Sequence, residues 1–118
     1  NIGSIHADLT KPNFSAYATS KGALATLTKA LAIEWAPHGI SVNSISPAAI
    51  DTPMLRDGFL GKSDEIHKLA SYHPAGVLGT PRDVARAVFM LAEFEGKFLT
   101  GAKIELSGGI GSVLHDPA

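Results

Sequence analysis

Tyr17 and Lys21 stand four residues apart, a spacing that puts a phenol and an ammonium group on one face of a helix. A free phenol titrates near about pH 10, and a neighbouring positive charge favours its phenolate, moving a weak acid towards working pH for proton transfer. Ser4, thirteen residues before Tyr17, carries a hydroxyl suited to hydrogen-bond a substrate oxygen. Taken alone, a Tyr and a Lys at this spacing are more simply a surface contact. The pair gains meaning from the elements that would hold it.

Those elements read as alternating helix and strand. Residues 16–36 contain one Gly and no Pro, with Leu24, Leu27, Leu31 and Trp35 recurring at spacings of three and four; this predicts a long amphipathic helix carrying Tyr17 and Lys21. A second stripe of Ala18, Gly22, Ala25, Ala32 and Ala36 would let another element approach closely, and Pro37 and Gly39 stop the helix. Ile40 to Ile45 reads as a short buried strand closed by Pro47. Residues 51–79 mix Pro, Gly and charge around a helical patch from Ser63 to Ser71, as an excursion over a site would. Thr80-Pro81-Arg82-Asp83 reads as an N-cap, a first-position Pro and a third-position acid. It opens a helix to about Glu93 with Val84, Val88, Leu91 and Ala92 on its apolar face. Ala102 to Leu106 alternates as a strand before Gly108-Gly109, and residues 110–118 read as irregular. With Asn1 to Ser4 as the end of another strand, the order is most simply built as a parallel sheet with right-handed crossovers. Ser4 would then lie at the carboxyl edge, where open α/β sheets place ligands.

Composition narrows the function classes. The 118 residues, 45% of them hydrophobic, suffice for one core. Ten Lys and Arg against eleven Asp and Glu, without a block of like charge, speak against nucleic acid and membrane surfaces as partners. The absence of Cys rules out disulfides and thiolate metal sites and is easier to reconcile with a cytoplasmic location. No apolar stretch approaches the roughly 20 residues of a membrane span.

Ser4, Tyr17-Ala18-Thr19-Ser20-Lys21, the run from Val42 through Asn43-Ser44-Ile45-Ser46-Pro47-Ala48-Ala49-Ile50-Asp51 to Thr52, and Thr100-Gly101 through Gly108-Gly109 occur in one order. Together they resemble the short-chain dehydrogenase/reductase family over essentially the whole chain. The resemblance implies the C-terminal part of a Rossmann-like doubly wound parallel sheet, about three strands with two main helices. Residues 1–118 would be the C-terminal catalytic half, with the N-terminal dinucleotide-binding half absent. It implies hydride transfer between NAD or NADP and a secondary alcohol or ketone. Tyr17 would be the general acid/base, Lys21 would lower its pKa and hold the nicotinamide ribose, and Ser4 would orient the substrate oxygen. Pro47, Ala48, Ile50 and Thr52, with Tyr17 and Lys21, would contact the cofactor, Ile50 and Thr52 at the carboxamide and the neighbouring phosphate.

The sequence departs from the family pattern in three places. Ala48 replaces a Gly after Pro47, and Ser107 stands where Asp often precedes Gly-Gly. The third is the absence of the Gly-rich turn that receives the pyrophosphate, which makes tight cofactor binding by this chain alone doubtful. The open edge of the strand ending at Ser4 would invite another chain, so a homo-oligomer is expected. An alternative is a catalytically inactive remnant that folds as a self-associating module. A sugar-nucleotide epimerase or dehydratase, which reuses the Tyr-Lys pair, is disfavoured by the compact ending at Gly108-Gly109.

Other side chains are weaker signals. His6 is a candidate for the substrate pocket, as are Met54 and Leu55, which with Phe59 and Leu60 form an apolar wall after Thr52. His67 and His73, with Asp64, lack a helical ligand spacing, read as a solvated lid face, and give no metal site. Lys11 and Lys29 read as solvent contacts, and Trp35 as a core or subunit-interface residue.

Overall fold

The computed structural model describes residues 1–59, 62–114 and 116. Its α/β order is α1 (Ser15–Trp35), β1 (Ser44–Pro47), α2 (Pro53–Asp57), α3 (Ser63–Ser71), α4 (Pro81–Ala92) and β2 (Lys103–Leu106). Short 3-10 turns occupy Ile5–Ala7, Ala36–His38 and Ile110–Ser112. Of the tail expected to be irregular, residues 115, 117 and 118 lie outside the described residues, as does Leu60. No helix among the described residues is long and apolar enough to cross a membrane.

β1 and β2 pair in parallel, from Ser44 opposite Lys103 to Pro47 opposite Leu106. The third strand expected at the N-terminus is reduced to one parallel bridge between Ile2 and Ile45, and Pro47 supplies the reason. Ile45 N–H donates to Asn1 C=O at 3.0 Å, and Gly3 N–H donates to Ile45 C=O at 2.7 Å. The next rung needs an N–H at residue 47, which Pro lacks. The ladder stops there and the chain turns at Ser4. On the other side the rungs fall on residues 44, 46 and 48, and Ala48 N–H still reaches Leu106 C=O at 2.9 Å. Pro47 therefore ends β1 towards one neighbour only.

The strand expected from Ile40 begins four residues later, with Ile40 exposed. Before Ser44, side-chain bonds interleave with main-chain ones such as Gly101 N–H to Val42 C=O at 2.8 Å. Val42 N–H donates to Thr100 Oγ1, Asn43 Nδ2 donates to Leu99 C=O, and Ala102 N–H donates to Asn43 Oδ1.

In α1 the most deeply buried positions are Thr28 and Ala32, and the inward face draws on both stripes. Ala32 and Thr28 are buried, and Ala18, Gly22 and Ala25 are half-buried together with Leu24 and Leu31, whereas Leu27, Trp35 and Ala36 are exposed. Small side chains let α1 sit close over Ile5–Ala7, and Asn1 Nδ2 reaches Thr28 Oγ1 at 2.9 Å. α4 opens as its sequence predicts. Thr80 accepts from Asp83 N–H while the Asp83 carboxylate accepts from Thr80 N–H, a reciprocal capping box. Its inner face carries buried Ala87 with half-buried Val84 and Leu91, but Val88 and Ala92 point outward.

The core is thin. Ile45 is 2% exposed, and among the described residues Ala32, Ala87 and Pro47 join it as buried apolar residues. The radius of gyration is 16.0 Å, against about 13.5 Å for a compact domain of this length. The accessible surface is 8241 Å², against about 6,100 Å² for a globular monomer of this mass.

Candidate active site

The parallel bridge decides what meets at the carboxyl edge of the sheet. Ser4 lies two residues beyond Ile2, and Pro47 two residues beyond its partner Ile45, so both leave the sheet at the same end. Ser4 is 5% exposed and caps the turn Ile5–Ala7, its Oγ accepting from His6 N–H at 3.2 Å. With one lone pair engaged, the hydroxyl keeps its own proton for a ligand oxygen.

α1 brings its first two turns to this place. Asn13 adopts a left-handed backbone, φ 67°, which Asn tolerates better than most residues, and the chain enters the helix at Ser15. Tyr17 and Lys21 follow on one face, the Lys21 ammonium lying 5.7 Å from the centre of the Tyr17 ring. The ammonium also donates to Ile2 C=O at 3.1 Å, two residues before Ser4. Helix and strand end are thus joined by the side chains expected to do chemistry. The structure brings Ser4, His6, Tyr17 and Lys21 into one cluster.

His6 stacks on Phe14, with ring centres 5.0 Å apart, and meets Tyr17 edge to face at 5.6 Å. Burial, and then the Lys11 ammonium, hold its pKa below the ordinary histidine value. Lys11, read from sequence as a solvent contact, sits 4.2 Å over the Phe14 ring. Phe14 was not among the expected site residues, although its place three before Tyr17 is a helical-neighbour spacing that could have found it.

The expected cofactor loop follows β1. Pro47 is buried; Ala48, Ile50 and Thr52 are half-buried. Ile50 bridges Gly79 in parallel, with Asp51 N–H donating to Gly79 C=O and Gly79 N–H to Ala49 C=O. That bridge leaves the N–H and C=O of Ile50 itself pointing to the other side. One donor and one acceptor on a single residue match a carboxamide, so the loop fits the nicotinamide group expected there. Thr52 caps α2 by accepting from Leu55 N–H at 3.2 Å. Arg56 then reaches back through two 2.7 Å bonds to Asp51, holding that carboxyl below its usual range. This bidentate link and the short helix α2 were not expected from the sequence.

Met54 is 85% exposed because α2 turns it outward, while Leu55 and Phe59 are half-buried. One expectation changes. His73 is 3% exposed rather than solvated. Its Nδ1 lies 2.9 Å from Leu69 C=O at the end of α3, and its Nε2 meets no hydrogen-bond partner among the described residues. His67 is exposed as expected, and no group of metal-ligating side chains occurs among the described residues. A cleft lined by Ala48, Ala49, Ile50, His73, Gly79 and Ser107 takes in two of the expected cofactor contacts but none of Ser4, Tyr17 and Lys21.

Comparison with known proteins finds relatives over nearly the whole chain. A family model described as enoyl-(acyl carrier protein) reductase matches residues 1–111. An uncharacterised oxidoreductase of Schizosaccharomyces pombe is 41% identical over 112 residues, 93% of this chain and 42% of that protein. The ligand-free aldohexose dehydrogenase of Thermoplasma acidophilum superimposes with a TM-score of 0.89 at 36% identity, over 100% of this chain and 50% of its own. A gluconate 5-dehydrogenase of Burkholderia cenocepacia, solved with NADP and tartrate, gives 0.86 at 30% identity, over 97% of this chain and 44% of its own. The chain thus spans half or less of the length of these three proteins.

Proposed function

The chain belongs to the short-chain dehydrogenase/reductase family of oxidoreductases, and from that premise we propose that it is the C-terminal catalytic half of an NAD(P)-dependent enzyme acting on a secondary alcohol or its ketone. The observation that carries the reading is the bond from Lys21 to Ile2 C=O, which draws the Tyr17-Lys21 face of α1 onto the segment ending at Ser4. Support also comes from the NADP complex of the Burkholderia cenocepacia relative.

In this mechanism Ser4 donates its free proton to the substrate oxygen and fixes its position. Tyr17 gives a proton to that oxygen during reduction, or takes it during oxidation. Lys21 places a positive charge beside the phenol and offers its ammonium to ribose hydroxyls. Ile50 N–H and C=O hold the carboxamide, and Thr52 faces the adjoining phosphate. The nicotinamide ring, when bound, supplies or accepts the hydride at the substrate carbon.

A fluorescence titration with NADH and then NADPH tests this reading, with Lys21→Ala as control. Binding in the micromolar range that is lost in the control supports it; no binding up to millimolar cofactor counts against a working site.

One observation favours a second reading, a self-associating module without catalysis. The chain exposes roughly a third more surface than a globular monomer of its mass, and β2 has a neighbour on one side only among the described residues. Sedimentation of the purified chain separates the two, since a monomer at high concentration removes support for the module.

A further inference from the structure

His6 touches both Ser4 and Tyr17, through different atoms. Its backbone N–H donates to Ser4 Oγ at 3.2 Å. Its ring meets Tyr17 edge to face, with centres 5.6 Å apart and planes at 76°. The same ring stacks on Phe14 at 5.0 Å and 29°, and Phe14 closes the triangle against Tyr17 at 5.9 Å and 80°. These are the offset and edge-on arrangements that ring quadrupoles favour.

Resting on the oxidoreductase reading above, we propose that His6 is a positioning residue of this site: its neutral ring sets the plane of the Tyr17 phenol while its N–H sets the Ser4 hydroxyl, so that both protons meet one substrate oxygen. The ring torsion of a tyrosine is broad when unconstrained, and contacts from His6 and Phe14 on the same ring narrow it. Tyr17 nevertheless stays 43% exposed, so the cluster orients the phenol without covering it.

The surroundings of His6 favour the uncharged ring. Lys11 stands over Phe14, Lys21 stands beside Tyr17, and Thr10 Oγ1 lies 3.4 Å from His6 Nδ1. The ion pairs found among the described residues are Asp51–Arg56 and Asp8–Lys103, neither on His6. Protonation would add a positive charge near Lys11, with no ion pair to His6 among the described residues. Burial and Lys11 accordingly hold the ring below its ordinary pKa.

The test compares the parent protein with His6→Ala and His6→Phe, using NADPH-linked reduction of cyclohexanone and the aromatic NMR spectrum of Tyr17. His6→Ala should lower kcat by about tenfold or more, as small misplacements of reacting groups do, with KM within about twofold. It should also move the Tyr17 ring resonances towards those of a free tyrosine. His6→Phe keeps a stacking ring that cannot titrate; it should restore Tyr17 resonances and neutral-pH turnover, and remove the fall in kcat that the parent shows on acidification. Unmoved Tyr17 resonances in His6→Ala, or the parental acid limb persisting in His6→Phe, overturn the proposal. A parent that turns over no ketone speaks against the oxidoreductase reading, while the NMR comparison still decides the role of His6.

Discussion

The δ-methyl of Ile50 fills the space that a side chain on residue 79 would need, 2.5 Å from where a Cβ would stand on Gly79. Gly79→Ala must turn Ile50 aside in the loop whose N–H and C=O are proposed to meet the cofactor. Weaker NADPH binding with a small change in thermal midpoint is expected, because the obstructing atom is a side-chain terminus that can move. Ile50→Val removes the obstructing methyl and should restore binding in the double variant. The coupling should fall in the range of about 0.5–3 kcal/mol found for residues in contact, and additive effects on affinity would contradict the contact.

Tyr17→Phe removes the proton-carrying oxygen and keeps the ring in its aromatic triangle. Turnover should drop by about 10²- to 10⁴-fold, with cofactor affinity nearly unchanged. Lys21→Ala also releases the Ile2 carbonyl, so it should weaken cofactor binding as well as turnover. Steady-state kinetics beside a binding titration distinguishes the two losses.

Thr80→Ala removes the hydroxyl half of the α4 capping box and should cost about 1 kcal/mol, read as a lower thermal midpoint. Hydrogen bonds from Thr80 side chain and backbone hold the Asp83 carboxyl below its usual range. A depressed carboxyl adds stability that is full above its unfolded value, near about pH 4, and is lost as pH falls through the folded value. The gap between parent and Thr80→Ala should therefore narrow in acid. A gap constant from neutral pH to pH 3 would refute this.

His73 keeps one ring nitrogen bonded to Leu69 and the other without a partner among the described residues. Replacing it by Leu loses the bond but also an unsatisfied buried acceptor, so stability should change by less than about 1 kcal/mol. His73→Ala leaves a cavity in addition and should cost roughly 2–3 kcal/mol more. Denaturant unfolding of the two variants would show the difference.

What could be read from the sequence was local. The α4 cap lies within Thr80 to Asp83, and the Tyr17-Lys21 face needs only helical spacing, so both were visible. The shortened first strand was not, because it depends on the missing N–H of Pro47 falling opposite Gly3, a register set only once residues 1–3 pair with β1. Asn43 escaped notice for a similar reason. Its side chain serves as a rung to Leu99 and Ala102, replacing the strand expected from Ile40. The partition of α1 failed on pattern, since Leu24 and Leu31 are half-buried beside the small residues while Leu27, Trp35 and Ala36 are exposed. His73 was misread because nothing in its immediate sequence tells which wall α3 would lean against.

The rung from Ala102 to Asn43 spans 59 residues, and the sheet register beside it has the same reach. Closing so long a loop costs entropy before any contact rewards it. α1 needs only its own turns and can form early, whereas β1 must wait for a partner made after α4. On the ribosome, β1 would emerge tens of residues ahead of β2, leaving the amides of Ser44, Ser46 and Ala48 unpaired until synthesis passes Leu106. For this chain the interval before pairing, more than the strength of the finished sheet, sets its exposure to misassembly.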